Sequence, residues 1–284
     1  MTPLIFAALM AGGCVSRTEA PILENIGGGA AALTGSRLDA LLPADVLLLG
    51  EQHDAAEHQL IERQVISILA ARGLLAALAL EMADAGASTA QLKPSSTDEQ
   101  TRQALQWDDN AWPWQAYGPA VMAAVRAGVP VLGANLSRAA MARMTDGKLD
   151  AQLPGPALKA QQQAIRIGHC NLLPESQIQP MTRIQIARDI SMATTLSQAI
   201  LPGKVVVLLS GNGHADRKLG VPQHLRANLK AKSIQLRAGD ASTSESADAF
   251  DAIWHTPALA ETDHCDRLRK QLMPRSGSGA EAKP

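Results

Sequence analysis

The chain has 284 residues, 46% of them hydrophobic and 19% charged, with a formal net charge of -1. This is the composition of a globular protein long enough for one sizeable α/β domain or two small ones, and it excludes disordered and collagen-like chains. The near-neutral charge gives no overall attraction to nucleic acid. Aromatic residues are scarce, and Tyr117 is the only tyrosine, so any phenolate chemistry has a single candidate.

At the N-terminus, Leu4 to Met10 is apolar but too short to span a bilayer, and it fits the core of a signal peptide. It runs into Ala11-Gly12-Gly13-Cys14, which resembles a bacterial lipobox: a signal peptide over 1–13, then a lipidated Cys14 as the new first residue. No Lys or Arg precedes the apolar run, and Ala11 rather than Leu stands at the usual leucine place. The competing reading is an apolar terminus with an incidental cysteine. Val15 in place of Asp points, by the usual sorting pattern of lipoproteins, to the periplasmic face of the outer membrane. An anchor of more than one acyl chain gives stable attachment. Residues 14–42 then read as a lipidated linker with a short helix near 36–42. With Cys14 acylated, Cys170 and Cys265 remain, an even number for an oxidising compartment. Either they form a bridge, worth roughly 4 kcal/mol by chain entropy for a loop of about a hundred residues, or they are two free buried thiols.

A first strand is expected near 45–49, ending in Gly50-Glu51-Gln52-His53-Asp54. Asp54 with Glu57 three residues on makes an N-cap signature. Ile61, Val65, Ile68 and Leu69 then recur at helical spacing, with His58 on the same stripe. A second strand, Leu75 to Leu80, meets Glu81. Residues 84–113 form a polar excursion with one or two short helices, and Trp114 to Ala127 reads as a helix despite Pro119. A third strand, Val129 to Ala134, meets Asn135, the cap Ser137 and Arg138. A helical excursion over 156–201 is interrupted by Pro174 and Pro180. The fourth strand, 204–210, enters Gly211-Asn212-Gly213-His214, and weaker strands follow at 232–237 and 251–255. Residues 269–284 read as a flexible C-terminal tail. Alternating strands and helices predict an α/β fold: a central mixed, mostly parallel sheet flanked by helices, with a helical excursion between strands.

In such sheets ligands bind beyond the carboxyl ends of the strands. Here the main strands end in Glu51 and His53, in Glu81, in Asn135 and Arg138, and in Asn212 and His214. Glu51, His53, Glu81 and His214 together make two carboxylates and two imidazoles able to share a proton or hold a divalent metal. Their spacing is not that of zinc proteases, so no metal is assigned. Each glutamate has an alternative role as a helix cap, and Asp54 and Glu57 read as caps. His58 reads as support behind the site. Gly211 and Gly213 read as turn residues that let backbone approach a ligand. Arg138 suits either a ligand carboxylate or an internal ion pair. Trp107, Trp112, Trp114 and Tyr117 form either an apolar ligand wall or the packing of a helix. His169, His224, His255 and His264 have no partner legible in the sequence.

With these residues in hand, the chain resembles the ChaN-type haem-binding lipoproteins, within the wider group of Tiki/TraB proteins and erythromycin esterase-like enzymes. The resemblance covers residues 43–268 as one α/β domain. It is carried by Leu49-Gly50-Glu51-Gln52-His53-Asp54, Leu80-Glu81-Met82, Trp112-Pro113-Trp114 with Tyr117-Gly118-Pro119, and Ala134-Asn135-Leu136-Ser137-Arg138. Further on it is carried by His169-Cys170 with Leu173-Pro174, Ala187-Arg188-Asp189 with Met192-Ala193, and Gly211-Asn212-Gly213-His214 with Gly220-Val221-Pro222. It implies a lipid anchor, haem as the bound cofactor, a part in haem or iron acquisition, and haem held cofacially between two subunits of a homodimer with tyrosine ligation. Tyr117 is the one residue able to supply a phenolate, with His53, His214, Arg138, Asn135 and Asn212 as further ligand contacts. The esterase-like relatives imply instead a hydrolase, in which Glu51, His53, Glu81 and His214 activate water directly or through a metal.

Overall fold

The computed structural model describes residues 28–144, 147–239, 247–260 and 264–272. Cys14, the expected signal peptide and most of the C-terminal tail lie outside the described residues. The strands are β1 (Val46–Glu51), β2 (Leu75–Asp84), β3 (Val131–Asn135), β4 (Val205–Gly211), β5 (Ala231–Ala238) and β6 (Ala252–Thr256). They form a six-stranded sheet in the order β3-β2-β4-β1-β5-β6. The expected α/β architecture is present, and every pairing between these strands is parallel rather than mixed. The only antiparallel pairing among the described residues is an isolated bridge from Ser88 to Leu132, which covers the outer edge of β3.

A parallel sheet with helices on both faces needs apolar side chains on both sides of each strand, and β1 and β4 supply them by alternation. Leu47, Leu49, Val207 and Leu209 join one core cluster with residues of the helices α2 (Ala56–Ala71) and α4 (Trp114–Arg126). Val46, Leu48, Val206 and Leu208 join a second cluster with Met192, Ala193 and Leu196 of the long helix α7 (Glu175–Gln198). The sheet is therefore sandwiched, with α2 and α4 on one face and α7 on the other.

Smaller elements depart from expectation in instructive ways. The helix α1 (Gly28–Asp39) occupies much of the segment read as a linker. Asp54 does not cap α2; the cap position belongs to Ala55, which makes no side-chain cap bond, because the chain bends first at Gln52 to Ala55. The polar excursion holds α3 (Asp98–Leu105), closed at its start by a capping box of Thr97 and Gln100. Ser137 caps the short α5 (Arg138–Met141) as expected, accepting from the Ala140 N–H. The excursion 156–201 becomes α6 (Gly155–Gly168) and α7; Pro174 stands at the break, whereas Pro180 lies inside α7 without ending it. The short α8 (Asn212–Ala215) follows β4, and the α6–α7 corner carries Cys170, disulfide-bonded to Cys265 of α9 (His264–Leu272), the last helix of the described residues. That helix runs past residue 268 into the stretch read as tail. No helix among the described residues is long and apolar enough to cross a membrane.

Candidate functional site

The register of the sheet sets the site. β4 lies between β1 and β2, with Glu51 opposite Gly211 and Leu80 opposite Leu209. Glu51 and Glu81 thus flank the carboxyl end of β4. Their parity differs: Glu51 follows Leu47 and Leu49 onto the α2–α4 face, whereas Glu81 follows Ala77 and Ala79 onto the α7 face. The sequence-predicted set is brought to one edge of the sheet, but as two clusters on opposite faces.

On the first face the Glu51 side chain is fully buried. Its Oε1 accepts from His53 Nδ1 at 2.7 Å and from Tyr117 Oη at 2.7 Å, while its Oε2 accepts from Gln59 Nε2. Tyr117 is 1% exposed. Burial and the neighbouring Glu51 carboxylate push its phenol well above the ordinary value. The tyrosine is therefore placed as a neutral donor beneath Trp107 and Trp112, with ring centroids at 6.1 and 5.9 Å, and its hydroxyl is not presented to the surface. His53 differs. Its side chain is 40% exposed, and Trp112 meets it edge-on at 4.9 Å. Burial alone would lower its pKa, but the hydrogen bond to Glu51 and the charges of Glu81 and Glu51 raise it. Behind this group Glu62 of α2 is buried, with Oε1 lacking a hydrogen-bond partner among the described residues. Burial, and then the charge of Glu51, push its carboxyl well above the ordinary value.

On the second face Glu81 accepts from Arg188 at 2.5 Å through Oε1 and from the Gly211 N–H at 2.7 Å through Oε2. His214 lies between Glu81, at 3.5 Å, and Asp189, at 2.5 Å. Although burial opposes charge, the two carboxylates raise His214 to about 9. Glu81 is held well below the usual carboxylate range: burial works against this, but His214 and Arg188 outweigh it. Asp189 is pushed up to about 6 by burial, against the pull of His214. His214 is thus an imidazolium held between two buried acids, Glu81 and Asp189. Arg188 also donates to Asn135 Oδ1 at 2.9 Å.

The remaining candidates separate. Asn212 is structural: its Nδ2 donates to Leu236 O at 3.2 Å, tying the end of β4 to β5. Arg138 is exposed at the start of α5, and the guanidinium that neutralises Glu81 is Arg188 instead. His58 supports the site from behind as expected. Its Nδ1 accepts from the Gln52 N–H at 3.0 Å, its Nε2 bonds Thr256 at 3.1 Å, and burial lowers it to about 4, so it is neutral. Glu51 binds side chains here, and Glu81 binds side chains together with the N–H of Gly211, the residue just before α8. Among the described residues no group of three or more His, Cys, Asp or Glu is arranged to hold a metal ion. A cavity of about 370 Å³ at the amino ends of β1 and β4 is lined by Leu42, Pro43 and Val205 with Asp45, Lys204 and Lys230, and one of about 470 Å³ beside α7 is lined by Leu136, Ala187, Ile190 and Ser191; neither lining includes a residue of the two clusters.

Sequence reasoning did not name Gln59, and it quoted Arg188 and Asp189 only within a stretch that carries the family resemblance, without a role at the site. Asp189 had a signal. The buried residues Ile178, Thr182, Ile186, Asp189, Ala193 and Leu196 recur at helical spacing along α7, and an aspartate inside an apolar stripe requires a buried partner.

Among solved structures, the fold is similar to that of ChaN from Campylobacter jejuni, described in its cofacial haem binding. The two are 26% identical, with 77% of this chain and 90% of that chain covered and a TM-score of 0.63. More remote likenesses are the type III effector HopBA1, at 16% identity, 82% and 95% coverage and TM-score 0.47, and the erythromycin esterase EreC in its open conformation, at 15%, 72% and 72%, and 0.45. No curated protein matches the chain. The family model described as haem-binding uptake, Tiki superfamily, ChaN matches residues 37–225, a span that takes in both side-chain clusters, and the chain belongs to that family.

Proposed function

We propose that this protein binds haem at the carboxyl edge of its sheet and serves haem or iron uptake from the cell envelope, attached to the outer membrane through acylated Cys14 and able to pair with a second copy around the ligand. The observation that carries the reading is that the family match contains every residue of the two clusters. The chemistry of the first face fits a porphyrin. A half-exposed imidazole stands beside the indole of Trp112, an N-donor next to an apolar edge, and exposed Arg138 beyond the end of β3 suits a propionate.

A second reading is acid–base hydrolysis, favoured by the Glu51–His53 pair. A carboxylate on Nδ1 leaves Nε2 of the neutral ring able to take a proton from water, the arrangement of a general base. On this reading the imidazolium of His214 holds Glu81 in its ionised form alongside.

The purified protein titrated with haemin should show a saturable change in the Soret band with quenching of tryptophan fluorescence; a linear, non-saturating response rejects haem binding. Cys14→Ser should move the protein from the membrane to the soluble fraction, and an unchanged distribution rejects the anchor. If the site hydrolyses esters or peptides, Glu51→Gln should lower kcat by about 10²-fold or more while leaving the circular dichroism spectrum intact; equal rates in the two proteins discard the second reading. The His214 cluster also sets a pH dependence. A histidine raised to about 9 in the folded protein contributes stability that is complete below its unfolded value of roughly 6.5 and lost as pH rises through the folded one. Urea denaturation between pH 7 and pH 10 should therefore show a steeper loss of stability for the wild type than for His214→Gln, and parallel curves would refute the imidazolium.

A further inference from the structure

The amino end of the sheet, opposite the two clusters, carries a cavity of about 370 Å³ between the loops that enter β1 and β4. That volume lies within the range of small-molecule pockets. The floor is apolar. Val205 is buried, and Leu42 and Leu74 are half-buried, packed on the core while leaving surface toward the cavity. The rim carries Lys204 and Lys230, both exposed. Neither ammonium group has an ion-pair partner among the described residues.

Main-chain bonds fix the walls before any ligand arrives. The Asp45 N–H donates to Lys230 O at 2.9 Å, and the Lys230 N–H donates back to Asp45 Oδ2 at 2.8 Å. This pair clamps the loop before β1 to the loop before β5. On the other side the Val205 N–H donates to Leu74 O at 2.7 Å, and the Lys204 N–H to Leu201 O at 3.1 Å. A cavity held in this way has little ordering left to do on binding. Asp45 is the one acid among the described lining residues, and its carboxylate is tied to main chain rather than to either ammonium group. The mouth therefore keeps a surplus of positive charge.

These features select a ligand by its chemistry. A neutral apolar molecule leaves the ammonium groups unused, and a small inorganic anion leaves the floor uncovered. A single-chain carboxylate answers both, with its tail against Leu42, Leu74 and Val205 and its head at Lys204 and Lys230. A bilayer offers a flat surface of paired chains, which suits a concave hollow less well. We propose that this cavity binds a free fatty acid, and that it does so independently of haem at the carboxyl edge.

The test is isothermal titration calorimetry of the full chain carrying Cys14→Ser, so that no acyl chain of its own competes, with decanoate below its micelle concentration. Saturable binding is expected, and it should weaken as salt is raised, because the head contact joins exposed charges. Octanoate, two methylenes shorter, should bind about tenfold more weakly. Replacing both lysines, Lys204→Ala with Lys230→Ala, should weaken decanoate about tenfold while leaving the circular dichroism spectrum unchanged. Decyl maltoside, with an uncharged head, should bind at least about tenfold more weakly than decanoate, a comparison that needs no substitution. Absence of saturable decanoate binding overturns the proposal, as does equal decanoate affinity with and without the lysines. A protein that ignores decanoate but sediments with phosphatidylglycerol vesicles through the same lysines also overturns it, and gives this end to the membrane surface. Haemin uptake, or its failure, bears on none of these outcomes.

Discussion

A carboxylate with no contact with water is the constraint around which this end of the molecule is built. Removing an ion from water costs several kcal/mol unless donors replace the solvent, and the Glu51 side chain is fully buried. Its donors come from separate pieces of chain: the turn after β1 through His53, α2 through Gln59 and α4 through Tyr117. Satisfying one charge therefore fixes how α2 and α4 sit against the end of the sheet. The aromatic packing serves the same end. Trp107 and Trp112 shield Tyr117 and keep water from competing for Glu51. Glu62, buried nearby with an oxygen unpartnered among the described residues, lacks such donors, and burial raises its pKa.

The second cluster solves the same problem with opposite charges. Glu81 has Arg188, His214 and a backbone N–H, and Asp189 shares His214. Because successive residues of a strand face opposite sides, β1 and β2 deliver their glutamates to different faces, and each face recruits its own helices. His53 belongs to the first cluster by its hydrogen bond, yet feels Glu81 and His214 across the edge. The two groups are thus coupled electrostatically while having separate hydrogen-bonded partners.

Much of this was legible in the sequence because it is strand information. Apolar runs ending in Gly50-Glu51 and in Gly211-Asn212-Gly213-His214 announced both the sheet and its carboxyl edge, and the alternation of strands with helices pointed to a mixed, mostly parallel sheet where the pairings between the six strands are all parallel. The partners supplied by helices were harder to see. Gln59, Arg188 and Asp189 lie inside long helices, where a polar residue is ordinary unless it falls on the buried stripe, and only Asp189 does so plainly. Arg138 stands out in the sequence because it follows a strand directly, whereas the guanidinium that reaches Glu81 comes from Arg188 of α7, which runs across the ends of β2 and β3. The division into two faces was implicit in the parity of Glu51 and Glu81. Reading it required the register between β1, β4 and β2, which no single strand encodes.

Gly211 shows how the same residue can be singled out for the wrong physical reason. A glycine after a strand suggests a turn needing unusual backbone angles, but Gly211 has φ -61 and ψ 152, angles open to any residue. What excludes a side chain is His53, whose Nε2 would lie 2.9 Å from a Cβ. The Gly211 backbone meanwhile donates to Glu81 at 2.7 Å. Its N–H thus serves the α7 face while its missing side chain serves the α2–α4 face. A larger residue would press on the imidazole that Glu51 orients. The requirement at this position is therefore set by the residue on the neighbouring strand's extension, and Gly211 and His53 are best regarded as one unit: the glycine leaves room for the imidazole ring, and the buried Glu51 holds that ring in place.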